Sequence, residues 1–152
     1  MKIRILEDPS VSEDEILIRC RYKTEKLRYI EDFLKKVVDE KSEVTLRIRD
    51  TEYFIPTADI LYFETEDGKV KAHTKERIFT ADVKLFEIPE RLGDRFVRVS
   101  KCCVVNIERI EALSRNITGA GEIFFGGCEK KAYVSRAYYN PLKEKLNKMR
   151  FM

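Results

Sequence analysis

Cations placed beside the ends of apolar runs are the residues of this sequence best suited to chemistry. Lys69 follows an Asp67-Gly68 pair, Arg98 and Lys101 stand inside the stretch from Arg95 to Ile110, and Arg115 opens a polar segment. Lys130 and Lys131 precede the run Ala132-Tyr133-Val134, and Arg136 follows it. Ser100 and Ser135 are the immediate neighbours of Lys101 and Arg136. Ammonium, guanidinium and hydroxyl groups meet phosphate oxygens, and such contacts fix a protein's register on nucleic acid. Arginine and lysine also match the O6/N7 edge of guanine in the major groove, at about 1–3 kcal/mol of discrimination per good bidentate contact. The competing reading of each position is a solvated surface cation, since exposed lysines are common.

The charge distribution favours a polyanionic partner engaged by one end of the chain. Residues 95–152 hold 12 Lys/Arg against 5 Asp/Glu, a net of +7, whereas residues 1–94 hold 18 against 22, a net of −4. The whole-chain value of +3 conceals this asymmetry. A chance imbalance of the surface is the alternative.

No catalytic constellation emerges, and the chain is expected not to be an enzyme. His73 is the only imidazole, on a strand near a hairpin, where a packed or solvated histidine is the ordinary outcome. Glu64 and Glu66 lie on one strand face and read as a solvated edge. Cys20, Cys102, Cys103 and Cys128 include no Cys-x-x-Cys pair, which argues against a zinc site. Buried reduced thiols are the default, a redox switch the alternative. No glycine-rich phosphate loop precedes a helix, and Gly126-Gly127 reads as turn chemistry. No cofactor, metal or small-molecule substrate is therefore expected. No apolar run approaches the roughly 18 residues of a membrane span. The start, Met1 to Asp8, acquires acidic residues too early for a signal peptide, so a cytoplasmic location is expected.

The elements that must position these cations are mostly strands. A length of 152 residues suits one ordinary domain with a small extension. In residues 1–41, Ile3 and Ile5, then Ile16, Ile18, Cys20 and Tyr22, alternate with polar or opposite-facing residues, which predicts two strands. Asp8-Pro9-Ser10 and Ser12-Glu13-Asp14 connect them. From Thr24, a plausible N-cap, the period changes, and Leu27, Ile30, Phe33, Leu34, Val37 and Val38 form one helical stripe. After Lys41-Ser42 a meander of short antiparallel strands is the simplest reading. Its strongest signal is Asp67-Gly68 between the alternations Ile60–Thr65 and Val70–Thr74. A short helix within 82–92 ends or restarts at Pro89 and stops at Gly93. Phe96, Val97 and Val99, then Cys102 to Val105, flank the polar pair Ser100-Lys101, as a hairpin with a solvated tip or as a rigid mount for that pair. Ser135 can cap a terminal helix, and Asn140-Pro141 offers a second start. Tyr138, Leu142, Leu146 and Met149 share one face of it.

Taken together, Ile60-Leu61-Tyr62-Phe63-Glu64, Arg95-Phe96-Val97-Arg98-Val99-Ser100-Lys101, Val104-Val105-Asn106, Ile110 and Val134-Ser135-Arg136-x-Tyr138-Tyr139-x-x-Leu142-Lys143-x-x-Leu146 resemble the LytTR DNA-binding domain. The resemblance covers roughly Glu43 to Lys148. It implies a mainly β fold, a compact stack of small antiparallel β-sheets with short helices. It also implies a bacterial transcription regulator that inserts loops into successive major grooves of double-stranded DNA at tandem sites. The base readers carried over by it are Lys101 and Arg136, with Lys69 chosen from the hairpin. Ser100-Lys101 is not the family's usual pair. Arg98 is expected to contact phosphate or to brace the tip. Ser100, Arg115, Lys130, Lys131 and Ser135 are expected at phosphates, and Asn106 in a turn.

The expected organisation is thus a β-β-α extension over residues 1–41 and a LytTR-like domain over 42–152. The extension is too short for a phospho-acceptor receiver domain, and the chain is similar to stand-alone members, some held in check by a membrane-embedded inhibitor. Its uncovered helical stripe suits a homodimer or a docking module. The alternative is a nucleotide-sensing β-barrel of the PilZ type. Arg91-x-x-x-Arg95 matches that family's first motif, but the second is absent.

Overall fold

A computed structural model describes residues 2–12, 15–39 and 43–150. The chain divides into two compact units, residues 1–34 and 35–152. The division falls inside helix α1 (Glu25–Asp39). Glu13 and Asp14 of the expected connection, Lys41 and Ser42 at the expected domain boundary, and the Val37 side chain lie outside the described residues.

The expected N-terminal strands are not there. Residues 2–12 and 15–23 contain no strand, and Ile3, Ile5, Ile16 and Ile18 are exposed. A two-stranded ribbon is marginal in water without a third strand or a helix to cover its apolar face. What forms instead is local. The Asp8 carboxylate accepts from the Ser10 N–H at 2.9 Å and its hydroxyl at 2.6 Å, closing a turn over Pro9. Those bonds hold the Asp8 carboxyl below its ordinary pKa. Thr24 caps α1, its hydroxyl oxygen accepting from Leu27 N–H at 3.3 Å. The stripe is real but largely uncovered. Leu27, Ile30 and Leu34 are half-buried, while Tyr29, Phe33 and Val38 are exposed.

The second unit is built from ten antiparallel strands. They are β1 (Glu43–Ile48), β2 (Thr51–Pro56), β3 (Tyr62–Glu66), β4 (Lys69–His73), β5 (Ile78–Ala81), β6 (Phe96–Ser100), β7 (Cys103–Asn106), β8 (Ile110–Arg115), β9 (Gly121–Phe125) and β10 (Lys131–Val134). Seven form one sheet in the order β2-β1-β5-β4-β3-β7-β6, and three form a second in the order β10-β9-β8. The Asp67-Gly68 signal holds. Glu66 pairs with Lys69, and both turn residues have positive φ, 51° and 75°. The first hairpin turns at Arg49-Asp50, with Ile48 opposite Thr51. Helix α2 (Ile88–Leu92) follows a single 3-10 turn and carries Pro89 in its first turn, so the proline starts this helix and does not end it. Gly93, at φ 92°, ends it.

Strand β7 and the first two residues of β3 are buried on both faces, whereas Glu64, Thr65 and Glu66 emerge from the core. Register puts Tyr62 beside Val105 and Phe63 beside Val104, so successive residues supply two different cores. Phe63, Val104, Phe96, Phe79 and Leu46 share one core with Ile88 of α2. Tyr62, Val105 and Val99 face Ile123, Phe125 and Val134 of the second sheet, and Tyr139, Leu142 and Leu146 of helix α3 (Arg136–Arg150) close that core. Burying each such aromatic or aliphatic side chain contributes about 1.5–3 kcal/mol. Helix α3 runs unbroken through Pro141, and the expected restart at Asn140-Pro141 does not occur. Pro141 leaves one carbonyl of the first turn without its usual donor, and burial of Tyr139, Leu142 and Leu146 outweighs that loss. The buried face is accordingly centred on Tyr139, not Tyr138, and Met149 is exposed.

Candidate nucleic-acid interface

The β6–β7 tip is held by its own backbone. Across the pair Arg98 faces Val104 and Ser100 faces Cys103, which leaves Val99 as an extra residue in a β-bulge. The Arg98 side chain bridges the bulge. Its Nε donates to the Ser100 carbonyl at 2.9 Å, and its Nη2 donates to the Lys101 carbonyl. Of the two roles expected for Arg98, the geometry displays the brace. The Cys102 N–H donates to Ser100 Oγ at 3.3 Å, which closes the turn and leaves the Lys101 side chain exposed at its apex.

Two further main-chain bonds carry this tip to the other candidate readers. Thr65 N–H donates to the Cys102 carbonyl at 2.9 Å, so the β3–β4 hairpin bearing exposed Lys69 runs alongside the tip. Ser135 N–H donates to the Val99 carbonyl at 2.9 Å, so α3, with Arg136 as its first and exposed residue, starts from the bulge. The helix cap expected of Ser135 comes from its backbone, whose carbonyl accepts from Tyr138 N–H at 3.0 Å.

Arg115 belongs to the same end of the fold. It closes β8 opposite Gly121, which in turn pairs with Val134 just before Ser135. Its guanidinium lies over the Tyr139 ring, 4.6 Å from the centroid, a cation–π contact that fixes its direction. Glycine makes this packing possible at two places. A Cβ on Gly121 would stand 2.2 Å from the Ser114 carbonyl oxygen and 2.8 Å from the Tyr139 ring. One on Gly119, at φ +89°, would stand 3.0 Å from Cγ of Arg136. Among the described residues, Lys69, Lys101, Arg115 and Arg136 have no ion-pair partner, whereas Arg47 and Arg91 are paired with Asp82 and Glu87. An unneutralised cationic patch is an electrostatic footprint for a polyanion.

Lys130 and Lys131 do not join it. They sit at the far end of β10 from Ser135, Lys131 about 13 Å away at strand rise and Lys130 one residue beyond it. Lys131 lies 3.5 Å from Glu122. The Lys130 ammonium donates to the carbonyls of Thr74, at 2.7 Å, and Arg77, at 3.2 Å, and desolvation lowers its pKa. Its observed role is to fasten β10 to the β4–β5 turn.

His73 is packed, the first of its two expected outcomes. It is buried, stacked on Tyr62 at 4.3 Å between centroids, with Nε2 2.8 Å from Glu64 Oε1. Burial outweighs the attraction of Glu64 and lowers its pKa. Glu64 is therefore half-buried against this ring and not a solvated edge. Burial likewise raises the Tyr62 phenol, and pushes the Cys103 thiol up to about 12. The default of buried thiols holds for Cys103, while Cys20 and Cys102 are exposed and Cys128 is half-buried. Among the described residues no cluster of three His, Cys, Asp or Glu side chains is placed to hold a metal, and no helix is long and apolar enough to cross a membrane. Asn106, expected in a turn, caps the 3-10 turn Ile107–Arg109 and is also a buried tie. Its Nδ2 donates to the Ile60 carbonyl at 2.9 Å and its Oδ1 accepts from Glu108 N–H at 3.1 Å.

Sequence reasoning missed Tyr139 as the seat of Arg115 and Gly119 as the seat of Arg136. The available signal was the Gly119-x-Gly121 spacing, where two missing side chains mark close approach of other chain segments.

Comparison with known proteins gives one consistent answer. The family model for the LytTr DNA-binding domain matches residues 50–147. An uncharacterized HTH-type transcriptional regulator of Staphylococcus aureus (strain bovine RF122 / ET3-1) is 27% identical over 121 residues, 78% of this chain and 82% of that protein. Another, from strain NCTC 8325 / PS 47, is 28% identical over 109 residues, 71% of this chain and 74% of that protein. The solved LytTr DNA-binding domain of a Bacillus cereus response regulator superposes with a TM-score of 0.64 at 24% identity, covering 70% of this chain and 97% of that one. The mainly β architecture of this chain is that fold.

Proposed function

This chain belongs to the LytTr DNA-binding domain family, and on that premise we propose that it is a sequence-specific transcriptional regulator reading successive major grooves through loop side chains. The observation that carries the reading is the pair of main-chain bonds, Thr65 to Cys102 and Ser135 to Val99, which gather three unpaired cationic tips at one end of the fold. Lys101 and Arg136 are the principal base readers, and Lys69 is the third. Ser100, Arg115 and Ser135 meet phosphates beside them. Arg98 acts through the tip it braces. The groups come from a bulged hairpin, a tight turn and a helix start, a different construction from a recognition helix lying along one groove.

The exposed apolar stripe of α1 supports a second part of the proposal. Residues 1–41 form a module through which the protein makes a homodimer on tandem sites or docks a membrane-embedded inhibitor. The family reading is tested by selecting preferred duplexes from random DNA and measuring their affinity against salt. A steep linear fall of log affinity with log salt, together with a preference of about a thousandfold or more over random duplex, is expected. Binding without sequence preference would overturn the regulator reading. If a chain lacking residues 1–41 bound tandem sites as tightly as the full chain, the dimerisation role would fall.

A further inference from the structure

We propose that Ile117 is a further specificity-determining residue, an apolar probe that meets the 5-methyl group of a thymine beside the base read by Arg136. The inference rests on the DNA-reading function proposed above and adds a contact that polar reasoning does not supply. Ile117 has a relative exposure of 106%, the highest of the large apolar side chains among the described residues. It stands at the apex of the β8–β9 turn, and that turn is stiff. Asn116 N–H donates to the Ala120 carbonyl at 2.9 Å, its Oδ1 accepts from Thr118 N–H at 3.1 Å, and its carbonyl accepts from Gly119 N–H at 3.2 Å. The β-branched side chain is itself restricted about χ1. Little freedom is therefore lost when Ile117 is placed against a partner.

Both flanks of the turn belong to the cationic patch. Two residues before Ile117, Arg115 is seated on Tyr139; two residues after it, Gly119 rests against the stem of Arg136. Consecutive Cα atoms are about 3.8 Å apart, so Ile117 lies within roughly 8 Å of either flank. The major groove is about 12 Å wide, which lets Ile117 and Arg136 enter the same stretch of it. Arg115 and Arg136 have no ion-pair partner among the described residues, so an apolar group bracketed by them must find its complement on an anionic surface. The apolar group that such a groove displays is the thymine methyl.

The test uses the full chain and the duplex it selects from random DNA. Each thymine of that duplex is replaced singly by deoxyuridine, which removes the methyl and nothing else. Affinities are measured by fluorescence anisotropy for wild type, Ile117→Ala and Arg136→Ala. Deoxyuridine within one or two base pairs of the position whose preference Arg136→Ala abolishes should weaken wild type about fourfold, the worth of one buried methyl-sized group. The same replacement should leave Ile117→Ala unchanged. Equal losses in both proteins, or no loss at any thymine near that position, would overturn the role of Ile117 while leaving the DNA-reading function intact. Absence of any preferred duplex would remove both.

Discussion

The backbone N–H of Ser135 donates to the carbonyl of Val99 at 2.9 Å. Val99 is the residue that the β6–β7 bulge leaves without a partner, and Ser135 immediately precedes the first residue of α3. A bulge frees a carbonyl from the ladder, and a helix start carries N–H groups without partners inside the helix. Each meets the other's need. Lys101 and Arg136, 35 residues apart in the chain, are thereby mounted on one support.

Removing that bond should separate affinity from folding. In Ser135→Pro the preceding Val134 is already in a strand, the conformation proline imposes on its neighbour, while the N–H is lost. A net loss of about 1 kcal/mol in urea denaturation is expected, the ordinary worth of one hydrogen bond. The preference for selected over random duplex should fall at least tenfold. A variant with unchanged discrimination would show that the two readers do not depend on this joint.

Gly121→Ala tests the seat of Arg115. A methyl there meets backbone at 2.2 Å and the Tyr139 ring at 2.8 Å, and neither can withdraw without opening β8 from β9. The expected cost is about 1–3 kcal/mol, the range for overpacked sites, read as a lower urea midpoint. A chain as stable as wild type would mean that β8 and α3 pack more loosely than described.

Asn106→Ala should cost about 1–3 kcal/mol in the same measurement. It strands the Ile60 carbonyl and the Glu108 N–H, both otherwise bonded to a side chain with no solvent exposure. Leu substituted there should be no better, since the unmet groups remain.

What was legible in the sequence divides along physical lines. Asp67-Gly68 announced its turn because only certain residues accept positive φ at both central positions. The pattern from Ile60 to Leu146 pointed to the family, because both cores draw on residues it names, such as Phe63 with Phe96 in one and Tyr62 with Val105 in the other. The N-terminal strands failed because a period of two reports only that one face is apolar, and Ile3, Ile5, Ile16 and Ile18 find no cover. Lys101 and Arg136 could be named as candidate readers from their neighbours, and both side chains are exposed. Their joint could not, because Ser135 and Val99 bond through main-chain atoms that every non-proline residue carries. The two carbonyls that hold the Lys130 ammonium were not legible, because sequence shows its charge but not the main-chain groups folded against it.

Acidification should loosen the interface between the two sheets. His73 has a folded pKa lowered below 6.5 by burial, against the opposing pull of Glu64. Groups facing it include Tyr62, Glu64 and Glu66 from β3, and Lys130 beside β10. In the window from about pH 6.5 down to that lowered value the unfolded chain binds more protons than the folded one, so stability falls as pH falls. Below the folded pKa this contribution is fully lost and the decline ends. In thermal melts across pH 7.5 to 5, wild type should therefore lose stability more steeply than His73→Phe as pH falls, with the variant showing the flatter profile. Parallel profiles would mean that His73 titrates alike in both states.

The most direct measurement is the ratio of affinity for the selected duplex to affinity for random duplex, determined at one salt concentration for wild type, Lys101→Ala and Arg136→Ala. Loss of a base contact should reduce that ratio by about tenfold to a hundredfold in each variant, in keeping with about 1–3 kcal/mol per contact. Affinity for random duplex should change far less. If both variants kept the wild-type ratio, Lys101 and Arg136 would not be the residues that read the DNA.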